Sequence, residues 1–330
     1  MFVNTPHHQF VRTFYTIPHH VLQSITIWLP RPLDYSPIKS TIWIIYVHGG
    51  AWRDPECDSD QFIPTVNYLS HASNQDTMSG IAGFASINYR LSPYPDHTRN
   101  GSDPQDAYRN VQHPAHLQDV VQALEYLSKH FLIDAYGWIG VGHSAGATLL
   151  TQLLSDVDIA ALPKNIQRAY LGLHSLILIA GIYDLPRFVR NHSGADSSKT
   201  IKDIYMAIVT GAFGQDPLLW VAPSPIHRNF GMENWPSLRF IVMARSDQDQ
   251  LVEEEQNNVM DVALRAQGWV GERESDTIPE RQIWRRSLSG AHDDVWKTDG
   301  GQIAMLIEEV LDRLLENVDR GEVYGEEVGV

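Results

Sequence analysis

Apolar residues in this chain come in short dense runs, separated by longer segments in which they recur every third or fourth position. The runs at 24–29, 41–47, 83–88, 136–141, 175–180, 238–244 and 283–288 have the length and density of buried β-strands. The segments between them have helical spacing. Leu117, Val120, Val121 and Leu124 follow the i, i+3, i+4, i+7 rule, as do Ala147, Leu150 and Leu154 in looser form. Val259, Val262, Ala263 and Ala266 are predicted to share the buried face of a later helix that Gly268 ends, and Ile303, Leu306, Ile307, Val310 and Leu314 line the last one. Alternating strands and helices predict an α/β fold, a doubly wound and mostly parallel sheet.

Three stretches break the alternation. Residues 185–235 hold a polar loop, a short apolar helix near 201–209 and several prolines, which predicts a small cap insertion over the carboxyl ends of the strands. Residues 271–281 are charged and contain a proline, the composition of a surface insertion, and the acidic tail at 316–330 is expected to fray. The simplest organisation is a single domain over 1–330 with the cap inside it.

Composition narrows the picture. At 330 residues and 43% hydrophobic, the chain can bury one large core. A net charge of −15 without clustered Lys and Arg excludes a nucleic-acid footprint, but says nothing of the substrate. The start of the chain lacks the pattern of a secretory signal, and no apolar run approaches the roughly 20 residues of a membrane span, so no membrane association is expected. Cys57 is the only cysteine and lies in a polar loop, which fits a reducing compartment and a cytoplasmic location.

The candidate chemistry sits where strands are predicted to end. Gly142-His143-Ser144-Ala145-Gly146 follows the run at 136–141 and precedes a helical pattern, the context in which a Gly-x-Ser-x-Gly turn exposes a nucleophilic serine. His48-Gly49-Gly50-Ala51-Trp52 follows the run at 41–47, where adjacent glycines free backbone amides to face a site. With the N–H of Ala145, the amides of Gly49 and Gly50 are expected to form an oxyanion hole. In this arrangement the acid and then the histidine follow the nucleophile in the chain. Asp249, in Asp249-Gln250-Leu251-Val252, is the preferred acid and Asp247 the alternative, with a helix cap as its other role. His292, after the last predicted strand, is the only histidine beyond Asp249, and is the expected general base.

Other groups receive plainer readings. His48 is expected to anchor its loop by hydrogen bonds. His113 and His116 carry little weight as a zinc pair, because Pro114 disturbs the helical spacing. Glu253 to Glu255 read as the exposed first turn of a helix.

On these residues the chain resembles the kynurenine formamidases (arylformamidases) of the α/β-hydrolase superfamily, in the manner of the fungal members. The resemblance rests on His48-Gly49-Gly50-Ala51-Trp52 with Arg53-Asp54-Pro55, on Asn88-Tyr89-Arg90-Leu91-Ser92-Pro93, on Gly181-Ile182-Tyr183-Asp184-Leu185, on Ser224-Pro225 and on Gly290-Ala291-His292-Asp293-Asp294-Val295. It implies hydrolysis of N-formyl-L-kynurenine to L-kynurenine and formate, a step of tryptophan breakdown, by Ser144, Asp249 and His292 with no metal or cofactor. Neighbouring hormone-sensitive-lipase-like carboxylesterases, which act on small esters, are the alternative. They more often carry a third glycine and an aspartate where this chain has Ala51 and His143. A formyl group needs almost no acyl pocket, so specificity must come from an aryl amine leaving group. Trp52 is the first candidate for its ring, with core packing as the competing role, and Tyr183 and the Tyr94 loop follow. The expected partner is a small-molecule substrate; homodimers are common for such enzymes, and the sequence shows none.

Overall fold

The computed structural model of the chain describes residues 9–156, 164–194, 197–231, 235–272, 274, 280–298 and 300–319. Each of the seven dense runs becomes a strand. In chain order the strands are β1 (Gln9–Phe14), β2 (Ser24–Leu29), β3 (Ile42–Val47), β4 (Ile81–Ile87), β5 (Gly137–His143), β6 (Leu173–Ile179), β7 (Phe240–Ser246), β8 (Val270–Gly271) and β9 (Gln282–Leu288). Among the described residues they form one sheet in the order β1-β2-β4-β3-β5-β6-β7-β9-β8. Pairing is antiparallel between β1, β2 and β4, and parallel from β4 onward. The sequence pattern does not predict β1 and β8. Both are edge strands: β1 mixes apolar with polar residues and leaves Val11 exposed, and β8 is two residues long.

The helices are α1 (Ile63–Leu69), α2 (Gln75–Ser79), α3 (Ala115–Phe131), α4 (Ala145–Asp156), α5 (Lys164–Leu171), α6 (Leu185–Asn191), α7 (Lys199–Phe213), α8 (Glu254–Arg265), α9 (Asp294–Lys297) and α10 (Gly301–Asp319). They cover the sheet on both faces. Trp43, Ile45 and Val47 of β3 pack into the layer holding α3, α4, α5 and α8, while Ile42, Ile44 and Tyr46 pack into the layer holding α1, α2 and α10. Burial on both faces is why these strands read as continuous apolar runs rather than alternations. No helix among the described residues is long and apolar enough to cross a membrane.

One predicted face is corrected. In α8 the buried positions are Gln256, Asn257, Met260 and Leu264, whereas Val262 is 67% exposed and Ala266 lies past the helix end. Polar Gln256 faces inward because it has backbone partners there: its Oε1 accepts from the N–H groups of Tyr183 (2.8 Å) and Asp184 (2.9 Å). A hydrophobicity pattern cannot register a glutamine used in this way. Gly268, at φ +87°, does follow the helix end as expected.

Residues 185–231 leave the sheet between β6 and β7 as α6, α7 and two short 3₁₀ turns. Phe188, Tyr205, Val209 and Phe213 are buried beneath them. The Tyr205 hydroxyl donates to the Leu251 carbonyl (2.8 Å) after β7, and His113 N–H donates to the Ala212 carbonyl (2.7 Å), so α7 is tied to two loops at the carboxyl edge of the sheet. In the charged segment predicted as an insertion, residues 273 and 275–279 lie outside the described residues; Glu272 pairs with Arg286 and Glu274 with Arg265. The predicted tail lies outside them too, apart from 316–319 at the end of α10.

Candidate active site

The site is built where β3, β5, β7 and β9 end at one edge of the sheet. Ser144 sits between β5 and α4 with φ +52°, a left-handed conformation that costs a non-glycine residue about 1–2 kcal/mol. Its N–H donates to the Ile179 carbonyl at 2.8 Å, fixing the turn against β6. The flanking glycines are demanded by space. A Cβ on Gly142 would lie 2.6 Å from the Ala147 nitrogen, and one on Gly146 would lie 2.0 Å from the Val47 carbonyl oxygen. Gly146 thus lets the serine turn press against the end of β3.

Beyond β3 the chain makes a tight turn from Gly50 to Arg53, closed by a 3.0 Å bond from Arg53 N–H to the Gly50 carbonyl. Gly50, Ala51 and Trp52 all have positive φ, at +90°, +50° and +60°. Positive φ at both central residues is the mark of a type I′ turn, strained here because those residues are Ala and Trp. The loop is held from below by His48 and Tyr89. Their rings stack at 4.3 Å, the Tyr89 hydroxyl donates to the Gly49 (2.9 Å) and His48 (3.1 Å) carbonyls, and His48 Nδ1 donates to the Gly49 carbonyl at 2.9 Å. Burial lowers the His48 pKa to about 4, against smaller opposing effects of the Gly49 carbonyl and Asp54. A neutral, buried His48 matches its expected anchoring role.

Gly49 departs from expectation. Its N–H is directed at the buried Gln61 side-chain oxygen, at 3.4 Å, rather than into the site. The glycine is needed for another reason: a Cβ there would lie 2.8 Å from His143 Nδ1 and 3.2 Å from Ser144 Cβ. Among the described residues no acceptor takes the N–H of Gly50, Ala51 or Ala145. Ala145 is the first residue of α4, where backbone amides have no helical partner.

His292 and Asp249 meet. His292 Nδ1 lies 2.8 Å from Asp249 Oδ2, and their side chains are 5% and 1% exposed. The other carboxylate oxygen accepts from the N–H groups of Leu251 (2.8 Å) and Val252 (3.0 Å). Burial raises the Asp249 pKa, but the bond to His292, its charge and these two amides outweigh it and hold the carboxyl below its ordinary value. Asp247 is 88% exposed and bonded to Arg245 at 3.0 Å, so the geometry pairs the histidine with Asp249.

Three further residues hold the His292 loop: Gln248 and Gln250, which sequence reasoning does not single out, and His143, noted there only as part of the serine turn. Gln248 accepts from Gly290 N–H (2.9 Å) and Gln250 from His292 N–H (3.3 Å), so the two glutamines flanking Asp249 grip the backbone of the His292 loop. His143 donates from Nε2 to the His292 carbonyl (3.0 Å), and burial followed by the nearby His292 depresses its pKa strongly. The alternation Asp-Gln-Asp-Gln over 247–250 and the histidine before Ser144 are the traces of this clamp in the sequence.

Trp52 and Tyr183 are both fully buried, which corrects their expected role as open contacts for the leaving group. Trp52 packs edge-on against Phe213 with centroids 5.0 Å apart, and Tyr183 lies inside the core with its backbone bonded to Gln256. Tyr94 lies under the Arg53 guanidinium, 4.1 Å away.

Two groups of described residues have spacing suited to a metal. In the first, His143, His292 and Asp293, the His143 Nε2 is committed to a carbonyl. In the second, Asp54, Glu56 and His97, the His97 Nδ1 accepts from Asn100 N–H (3.0 Å), so Nε2 carries the hydrogen and faces Asp54 (3.5 Å) as an N–H group rather than as a ligand. His116 is held by Ser92 Oγ at 2.9 Å and is not part of either group.

Residues 33–264 match the family model described as BD-FAE. The chain is similar to a kynurenine formamidase-like hydrolase of Fusarium equiseti, with 32% identity over 88% of this chain and 90% of that protein. It is similar also to a kynurenine formamidase of Aspergillus versicolor, with 31% identity over 78% of this chain and 85% of that protein. Among solved structures, an inhibited esterase B of Lactobacillus rhamnosis superposes with a TM-score of 0.61 at 15% identity, covering 96% of this chain and 91% of that one; at that identity it speaks for the α/β-hydrolase fold alone.

Proposed function

The chain belongs to the kynurenine formamidase family of α/β-hydrolases and is a hydrolase acting on a linear amide; from that premise we propose that it cleaves N-formyl-L-kynurenine to L-kynurenine and formate. The observation that carries the mechanism is the buried 2.8 Å contact of His292 with Asp249, in a molecule that also holds Ser144 on a strained turn at the same sheet edge. In this reading the Ser144 hydroxyl attacks the formyl carbon and His292 takes its proton. The amides of Gly50, Ala51 and Ala145 receive the negative oxygen. Asp249, accepting from Nδ1–H, fixes the tautomer in which Nε2 is the base and stabilises the imidazolium that forms. The imidazolium then gives its proton to the departing aryl amine as the C–N bond breaks, leaving a formyl ester on Ser144. Water, deprotonated by His292, attacks that ester and releases formate. We place the reaction in the cytoplasm, as part of tryptophan breakdown.

The test is turnover of N-formyl-L-kynurenine, followed as kynurenine absorbance appears, by the wild type and Ser144→Ala, with nitrophenyl acetate in parallel. Fast turnover of the formamide, slower turnover of the ester, and loss of both by about four orders of magnitude or more in the variant are expected. Turnover of the ester without the formamide would retain the serine mechanism and move the chain to the small-ester reading.

A further inference from the structure

Arg53 is a buried arginine whose guanidinium has no hydrogen-bonded anion among the described residues. It is 7% exposed and lies beside the three strained residues of the oxyanion loop, with its guanidinium 4.1 Å above the Tyr94 ring. Among the described residues, no carboxylate or carbonyl accepts a hydrogen bond from any of its five N–H donors. The other arginines with low exposure are differently placed. Arg281 donates to the Phe230 carbonyl at 2.7 Å and also to the Trp235 carbonyl, Arg90 pairs with Asp119 at 2.8 Å, and Arg286 pairs with Glu309 and Glu272. Burial is the largest influence on the Arg53 guanidinium and lowers its pKa; Tyr94, Asp54 and Asp96 oppose it only through space. None of its nitrogens is among the buried side-chain atoms left without a hydrogen-bond partner, so the guanidinium keeps an opening to solvent through which a partner can arrive.

The turn puts the backbone of Arg53 beside the Gly50 amide. The bond from Arg53 N–H to the Gly50 carbonyl closes a four-residue turn, which brings the two Cα atoms within about 7 Å. A ligand whose acyl oxygen rests on the Gly50 amide therefore extends over a distance an arginine side chain can span. A guanidinium presents a planar fork of donors suited to two-point recognition of a carboxylate, and stacking on Tyr94 fixes the plane of that fork.

We infer that Arg53 is the specificity-determining anchor for a carboxylate carried on the leaving group, so that the enzyme selects aryl formamides bearing an amino-acid end over those without one. The inference rests on the formamidase reading for the identity of the leaving group, but its test does not. L-kynurenine and kynuramine, which differ by the carboxylate, are each used to inhibit nitrophenyl acetate hydrolysis by the wild type, Arg53→Gln and Arg53→Lys, and the ratio of their inhibition constants is read. The wild type is expected to prefer kynurenine by at least tenfold. Arg53→Gln should bring the ratio close to one by weakening kynurenine by that same factor, and Arg53→Lys should fall between. A wild-type ratio near one, or a ratio that Arg53→Gln leaves intact, overturns the assignment. If Arg53→Gln does not fold, the wild-type ratio and Arg53→Lys still decide. Discrimination by the wild type without formylkynurenine turnover would sink the formamidase reading and leave the carboxylate site standing. Turnover without discrimination would do the reverse.

Discussion

At the scale of single residues, the Leu251-Val252 step after Asp249 ranks it above Asp247, and the structure separates the two by burial. Asp247 and Asp249 lie two apart after the same strand, and both side chains could fall in the loop. The structure buries one and leaves the other 88% exposed. Asp249→Asn is therefore expected to lower kcat by about four orders of magnitude, because the amide favours the wrong imidazole tautomer. Asp247→Asn should stay within about twofold of the wild type. Steady-state kinetics of both variants check this, and the reverse ranking would reject the pairing. Ser144 and His292 were legible because glycine spacing and chain order carry their positions, whereas Gly49 was misread. Two adjacent glycines announce that side chains are unwelcome, but not whether the freed space serves an amide or, as at Gly49, the close passage of His143 and Ser144.

At the scale of elements, the seven central strands were legible and the edges were not. Burial on both faces leaves an unbroken apolar signature, while β1 and β8 have one neighbour each and little sequence to show for it. The same physics explains the error in α8, where a backbone-bonded glutamine turns the buried face by a third of a turn from the most apolar one. Leu264→Ala is expected to cost about 2–5 kcal/mol of stability, and Val262→Ala less than about 1 kcal/mol. Urea denaturation of the two variants measures both. Equal losses would restore the face that the apolar spacing suggested.

At the scale of the whole molecule, burial of neutral histidines makes the fold sensitive to acid. Burial lowers the pKa of His48 to about 4 and that of His116 to about 3, and His143 is depressed in the same direction. Each is neutral when folded and takes up a proton on unfolding at any pH between its folded value and about 6.5, so unfolding becomes easier as pH falls through that window. Stability should be fully present above pH 6.5 and lower by roughly 5 kcal/mol at pH 5 from these three groups together. Asp249 adds a loss of the same sign only below about pH 4, where the unfolded chain's carboxyl takes up a proton that the folded carboxylate still refuses. Urea midpoints at pH 7 and pH 5 test this; a flat profile would contradict the burial of these rings.

The strand order also has a consequence in time. β9 lies between β7 and β8, and the loop after it carries His292, which is fastened to Gln248, Gln250 and His143. In the proposed mechanism the nucleophile is thus made some 150 residues before its base. As the chain emerges from the ribosome, the sheet from β1 to β7 can assemble around a serine that has no chemistry to perform. Under that mechanism the protein would be born inert, and would become an enzyme only when its last long strand slots in beside β7.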